Sequence, residues 1–393
     1  RCMRVSTLIK NAHIHPVTSK DFIGDLLIEG SKILDCSHKI FAQADAVFDA
    51  TGLHCYPGMV EEHCHIGIHG EKTNQNSDND TNEWSSPITA EVRALDGIKP
   101  FDHGFIDAIG AGVTTLNIYP GSANPMGGVG ITLKNDLSVP YEDRIMLEES
   151  GFKMAMGENP KRVHSQTKTI MTRMATAEKI RTAFKEALDY QAKKEKEPEK
   201  TPFDMKHETL LKVLNGQLNA HVHAHQADDI MTVLRIFDEF GIKPMFEHTT
   251  EGHLVADELA QREITVAVGP MFTARYKMEV NNRTMKTPGV LEKAGVKHIT
   301  LITDCPVIPI YDLPIQATMA VKNGLSQEEA IRAITINPAI NLGIDDRVGS
   351  LEVGKDADFI LTDRELLDPT HRVLYTYVNG KLAYNMKEEG LTI

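Results

Sequence analysis

Cysteine is scarce: five residues in 393 (Cys2, Cys36, Cys55, Cys64 and Cys305), odd in number and scattered. A disulfide framework is thereby excluded, and a reducing, cytoplasmic setting is expected. Positive charge is in deficit. Lysine and arginine total 42 against 55 acidic residues, a net charge of −13, so the basic footprint that a nucleic-acid partner requires is missing. Long hydrophobic runs are absent too, with no stretch near the ~18 apolar residues of a membrane span. The first residues show neither a signal-peptide core nor a small-residue cleavage site. Solenoid-period repeats and low-complexity tracts are lacking. These absences leave a soluble protein acting on a small molecule, with no membrane partner, and leave a homo-oligomer open.

What is present is ordinary in bulk, 41% hydrophobic and 25% charged, enough for a large core. Residues 4–56 read as short strands, including a strand–Glu-Gly–strand hairpin at 24–33. The chain ends similarly, with a turn and strand at 354–361 and two strands at 373–382 around Asn379-Gly380, a strong hairpin turn. Each set is too small to bury a core alone, and packing the two together solves that. Between them, apolar β-like runs alternate with amphipathic helical stretches. Eight runs fall at 56–60, 113–118, 129–133, 152–156, 218–222, 244–247, 264–268 and 299–302, with helices at 175–190, 228–240, 252–262 and 326–334. That arithmetic predicts an α/β fold, a (β/α)₈ TIM barrel over 57–347, with a small β-sandwich composed of 1–56 and 348–393. The charged run 193–200 reads as a solvated helix end and loop.

One residue type is conspicuous: 17 histidines. Barrel enzymes carry their chemistry where strands end, and several histidines fall there. The first run leads into His63 and His65, whose alternation puts both rings on one side of an extended chain. The fifth leads into His221, His223 and His225, the sixth into Glu247-His248, and the eighth into Thr303-Asp304. Imidazoles and a carboxylate converging from four strands suit Zn²⁺ or another first-row divalent ion, which supplies an activated water. A carboxylate can then carry the water's proton to a leaving group.

The segment from Tyr56-Pro57-Gly58 to Glu62-His63-Cys64-His65 resembles the amidohydrolase signature Pro-Gly-hydrophobic-hydrophobic-Asp-x-His-x-His. Gly112-Val113-Thr114-Thr115, Thr335-Ile336-Asn337-Pro338-Ala339, and the stretch from Gly349-Ser350-Leu351 to Asp356-Ala357-Asp358 resemble later family motifs, in family order over nearly the whole chain. Within the superfamily the chain is similar to the imidazolonepropionase- and prolidase-like branch. The resemblance implies a metal-dependent barrel plus sandwich, one or two Zn²⁺ ions, and hydrolysis of an amide-type C–N bond in a cyclic amide, N-acyl amino acid or dipeptide. It implies His63, His65, His223, His248 and Asp304 as metal ligands. Asp304 doubles as the catalytic proton shuttle, His225 falls to substrate contact, and His221 to a structural role. Binuclear relatives need a bridging ligand near the fourth strand, often a carboxylated lysine. Glu158 stands at that strand's end and is expected to bridge, with Lys134 and Lys161 as rivals.

Glu61 departs from the signature's Asp, and Cys305 follows Asp304 where a histidine would have added a pocket donor. Cys64 and Cys305 read as packing residues. The glycine-rich loop 120–130 lacks the Gly-Lys-Ser/Thr of a phosphate cradle and reads as a pocket wall. Asn124 in that loop, His253 and Arg275 are expected at the substrate, the arginine as a carboxylate clamp. The alternative activity is deamination of a heterocycle. Such relatives place a glutamate three residues after the fifth-strand histidine, and here Gln226 and Asp228 hold those positions, although Glu251 follows His248 at that spacing. A non-catalytic scaffold would be free to lose the ligand set, and all of it is present.

Overall fold

The computed structural model describes residues 5–69 and 79–388. Strands from both ends of the chain form one eight-stranded sheet. Ser6–Ile14, Phe22–Glu29, Lys32–Ser37, Ala46–Asp49 and His54–Pro57 join Phe359–Thr362, Val373–Val378 and Lys381–Asn385. The seam is antiparallel, Ile360 opposite Tyr56, and Ile14, Leu26, Phe359 and Leu361 from both sides share one core. Neither terminal set could bury those side chains alone. Asn379 and Gly380 take φ of 50° and 74°, the pair of left-handed residues that a two-residue hairpin needs. A Cβ on Gly380 would lie 2.0 Å from the Gly30 carbonyl oxygen, so the two terminal hairpins touch backbone to backbone.

The middle of the chain supplies the strands β1 (Met59–Cys64), β2 (Val113–Ile118), β3 (Ile131–Lys134), β4 (Phe152–Ala155), β5 (Ala220–Ala224), β6 (Pro244–His248), β7 (Thr265–Val268) and β8 (Thr300–Leu301). β1 and β2 are parallel, as are β4 through β8 in sequence order. All residues of β1, β2, β4, β5 and β6 are buried, as expected of strands covered on both faces.

Two expectations from the sequence change here. The run at 129–133 is not one parallel strand. Met126–Val129 pairs antiparallel with β4, and β3 pairs antiparallel with β2. A parallel neighbour needs a crossover of about a dozen residues or more, usually a helix, and no helix separates β2 from β3. The chain turns back instead. The run at 56–60 is likewise two strands, since Pro57 ends one in the terminal sheet and Met59 begins β1. Gly58 makes the crossing, where a Cβ would fall 2.2 Å from Thr114 Oγ1.

The helix expected at 175–190 extends over Arg173–Lys196. Thr172 Oγ1 caps it by accepting from Ala175 N at 3.1 Å. Lys193, Lys194 and Lys196 sit in its last turn, where positive charge complements the helix dipole. No helix among the described residues is long and apolar enough to cross a membrane. The end of β3 is tied to the terminal sheet by a buried ion cluster. Lys134 pairs with Asp358 and, at 2.9 Å, with Asp356, which also meets Lys32 at 2.8 Å and Arg347 at 2.9 Å.

Candidate metal centre

Four strand ends deliver the histidines and the aspartate. Alternation along β1 sends His63 and the residue just beyond the strand, His65, to one side; alternation along β5 does the same for His221 and His223. His248 closes β6 at φ +71° and Asp304 follows β8 at φ +54°. Left-handed backbone costs a non-glycine residue about 1–3 kcal/mol and collects at functional sites. Both side chains are thereby swung from the strand direction toward the same space.

Three groups of potential ligands form among the described residues, each with donor atoms within 4.8 Å of one another, and two of them, His63–His65–Asp304 and His223–His225–His248, stand at the strand ends. In the first, Asp304 Oδ1 lies 3.2 Å from His63 Nε2 and 3.1 Å from His65 Nε2. The groups adjoin: ring centroids of His63 and His248 are 5.3 Å apart, and those of His223 and His248 4.5 Å. His63, His65, His223, His248 and Asp304 line one cavity of about 530 Å³. A larger cavity of about 770 Å³, by His15 and Tyr56, contains none of these groups.

The donors fit a divalent cation. His65 Nδ1 lies 2.7 Å from the Tyr119 carbonyl and His248 Nδ1 2.8 Å from that of Gly269. A carbonyl only accepts, so in each ring Nδ1 carries the proton and Nε2 keeps its lone pair. Buried His223 Nδ1 and His225 Nε2 have no hydrogen-bond partner, a cost of about 1–3 kcal/mol each unless something else binds there. Burial pushes His223 and His225 well below the usual histidine range and His248 to about 3. Those three are neutral, the form a metal requires; in His63 burial and Lys153 are outweighed by Glu247 and Asp304, which raise it. Burial opposes the charge on Asp304, but His248, His63 and His65 outweigh it and hold the carboxyl well below its ordinary value.

Glu61, the departure from the signature, braces the site. Its Oε1 accepts from His63 N at 3.1 Å, and its Oε2 accepts from Thr303 N at 3.0 Å and Thr303 Oγ1 at 2.7 Å. One carboxyl thus ties the end of β1 to the residue before Asp304. The longer glutamate side chain spans that gap.

The expected bridge, Glu158, stands in neither group of donors. Glu158 lines the cavity, but Gly157 turns the chain into the helix Glu158–His164, and the carboxylate braces a neighbouring loop. Glu158 N donates to Glu279 Oε2 at 2.9 Å, and Glu279 N donates to Glu158 Oε2 at 3.2 Å. Lys134 is bound into the ion cluster described above, and Lys161 lines a separate groove with Met174 and Met278. The residue that β4 does send into the centre is Lys153, which sequence reasoning missed. Its Nζ lies 3.5 Å from His63 Nδ1 and 3.4 Å from His63 Nε2, and burial pulls it down to about 8. The available signal was a lysine inside an apolar strand, Phe152-Lys153-Met154. Glu279 was missed as well; its Oε1 is 3.3 Å from His223 Nε2 and 2.6 Å from Lys277 Nζ.

The expected substrate contacts fare unevenly. His225 joins His223 and His248, with its Nδ1 2.6 Å from Thr250 Oγ1. Asn124 is turned inward: its Nδ2 donates to Glu83 O at 2.6 Å and Thr89 Oγ1 at 2.8 Å, and its Oδ1 meets His164 Nε2 at 2.8 Å. His253 packs on Thr287 Oγ1 at 3.1 Å, and Arg275 Nε donates to the Asn281 carbonyl at 2.9 Å. None of these three lines the cavity. Their neighbours do, namely Ser122, Tyr276 and Lys277, together with Asn82, Asn159 and Arg162.

The model of the amidohydrolase family matches residues 55–383. The chain belongs to that family. An amidohydrolase structure from Thermotoga maritima MSB8 is 41% identical, covering 96% of this chain and 100% of that one with a TM-score of 0.92. The amidohydrolase tasK of Hapsidospora irregularis is 28% identical over 429 residues, 96% of this chain, but the chain spans only 43% of that protein's length. The imidazolonepropionase of Syntrophobacter fumaroxidans is 46% identical over 68 residues, 16% of each chain. Family members typically bind a divalent metal, and the two adjoining groups are the candidates for it here.

Proposed function

We propose that this amidohydrolase is a (β/α)₈ barrel over 57–347 with a sandwich built from 1–56 and 348–393, and that it hydrolyses an amide-type C–N bond with Zn²⁺ or a similar ion. The observation that carries the reading is the pair of groups, His63–His65–Asp304 and His223–His225–His248, which adjoin and of which all but His225 line one cavity beside Lys153. His63, His65 and Asp304 would hold one ion, and His223 and His248 a second. Lys153 would serve both once carboxylated. A buried amine near pKa 8 is partly neutral at physiological pH, the form that adds CO₂. The metal supplies Lewis acidity and an acidified water.

Within that frame, Asp304 accepts the water's proton and returns it to the departing nitrogen. Tyr276, Lys277, Asn159 and Arg162 face the substrate side of the cavity and orient it. Amide hydrolysis is favoured over deamination by where the acidic residues go. Glu251 is engaged in accepting from Ala227 N and from Asn282 Nδ2, both at 2.8 Å, and Asp228 pairs with Arg173 on the surface at 2.9 Å. Neither lines the cavity to protonate a ring nitrogen. The test is metal analysis of the purified protein, followed by assays of N-acyl amino acids, dipeptides, cyclic amides and aminated heterocycles. One or two ions per chain with release of a free amine or carboxylate is expected. Ammonia release from a heterocycle would favour the deaminase, and a chain that takes up no metal would overturn both.

A further inference from the structure

Beneath the two groups lies a layer of charge that the proposed reaction does not use. Inward positions of a packed barrel are ordinarily filled by Val, Ile and Leu. Here Glu62, His221 and Glu247 are all buried with ligand atoms within 4.8 Å of one another. The spacing argues against an ion at that place. Glu247 Oε1 is 2.7 Å from His221 Nδ1, the length of a charge-assisted hydrogen bond between the two. The other oxygen, Oε2, makes no hydrogen bond and lies 3.2 Å from His63 Nδ1, close enough to pair with it. One carboxylate therefore spans two imidazoles, and the second imidazole belongs to the metal centre, its Nε2 directed to Asp304.

We propose that Glu247 is the positioning residue of His63, held in its own place by His221. The proposal rests on the reading of His63 as a metal ligand. A carboxylate accepts and does not donate, so once an ion takes the Nε2 lone pair on the Asp304 side, the Nδ1 proton of His63 would go to the otherwise unpartnered Glu247 Oε2. Its negative charge also makes that lone pair more basic. Hydrogen-bonded partners of this kind are typically worth about 10–100-fold in metal affinity. His221 has no freedom to do otherwise. A Cβ on Gly151 would lie 2.6 Å from its Cδ2 and 2.4 Å from Tyr119 Oη, so the ring is wedged between a glycine and a tyrosine with Nδ1 on Glu247. This also gives an account of the three histidines at the end of β5: His221 supports, His223 ligates, and His225, just beyond the strand, joins it in the second group.

The experiment measures zinc affinity by competition with a chelator, on metal-stripped and reconstituted protein, with melting of the metal-free chain as a control. Glu247→Gln keeps the shape but offers an amide to both rings. We expect its zinc affinity to fall about 10–100-fold while the metal-free chain melts as the wild type does. His221→Asn leaves the carboxylate but loosens it, and should lower affinity less. Combining the two should be no worse than Glu247→Gln alone, because they act through one contact. Histidine NMR of the zinc-loaded protein should show the His63 tautomer lost in Glu247→Gln. Wild-type affinity in both single variants overturns the proposal and leaves the proposed function standing. So does a loss of affinity that tracks only a lower melting temperature. A wild-type chain that binds no zinc overturns both readings.

Discussion

At the scale of single residues, spacing decides what can be read. His63, His65, His223, His248 and Asp304 belong to patterns that order alone reveals, and the structure brings those five together. Lys153 and Glu247 belong to none. Each sits inside a buried strand, where only the register with neighbouring strands shows which way its side chain faces; Lys153 is opposite His221, and Glu247 opposite His223. Lys153→Met should therefore lower metal stoichiometry, whereas Glu158→Gln, whose partner is a loop amide, should leave it unchanged. Metal analysis of the two variants checks this, and the opposite ranking would restore Glu158 as the bridge. Bicarbonate supplied with the metal should raise activity of the wild type, since a lysine must first add CO₂. Asp304→Asn retains the outline of the side chain and removes the proton acceptor. A fall in kcat of about 10²–10⁴-fold is expected at full metal occupancy, and an unchanged rate in the metal-loaded variant would refute the shuttle.

At the scale of elements, local chemistry was legible where the backbone itself demanded it. Asn379-Gly380 announces its turn because few other pairs tolerate two left-handed residues. Gly58 announces less. Nothing in Tyr56-Pro57-Gly58-Met59-Val60 says that the chain leaves one sheet and enters another there, because the reason for the glycine is the distant Thr114. The β2–β3 return is hidden similarly in a glycine-rich stretch with no strong periodicity. Gly58→Ala should force Thr114 or the crossing itself to move, costing about 1–3 kcal/mol. Thermal melting reads this directly, and Gly58→Ala with Thr114→Ala should recover part of the loss. Melting of Gly58→Ala at the wild-type temperature would mean that the crossing is looser than the 2.2 Å approach implies.

At the scale of the whole molecule, the terminal sheet and the central strands are joined through buried charge as well as apolar packing. The sequence motif from Gly349 to Asp358 resembles a family feature, but its physical role is visible only when Lys134 arrives from β3 between Asp356 and Asp358. Burial opposes the charge on Asp356, yet Lys134, Lys32 and Arg347 outweigh it and lower its pKa to about 2 from an ordinary 3.8. Asp358, fully enclosed, is instead pushed up by burial, so Asp356 is the carboxylate that keeps its charge as acid is added. A carboxyl whose folded pKa is depressed stabilises the fold above its unfolded pKa, and that contribution drains as pH falls toward the folded value. The window is thus from about pH 4 down to about pH 2, and the amount is at most about 2 kcal/mol. Urea unfolding of the wild type and of Asp356→Asn across that range measures it. The wild type should begin more stable and lose its advantage below pH 4, so that the two curves of stability against pH converge. Curves that stay parallel down to pH 2 would place the acid-sensitive joint elsewhere.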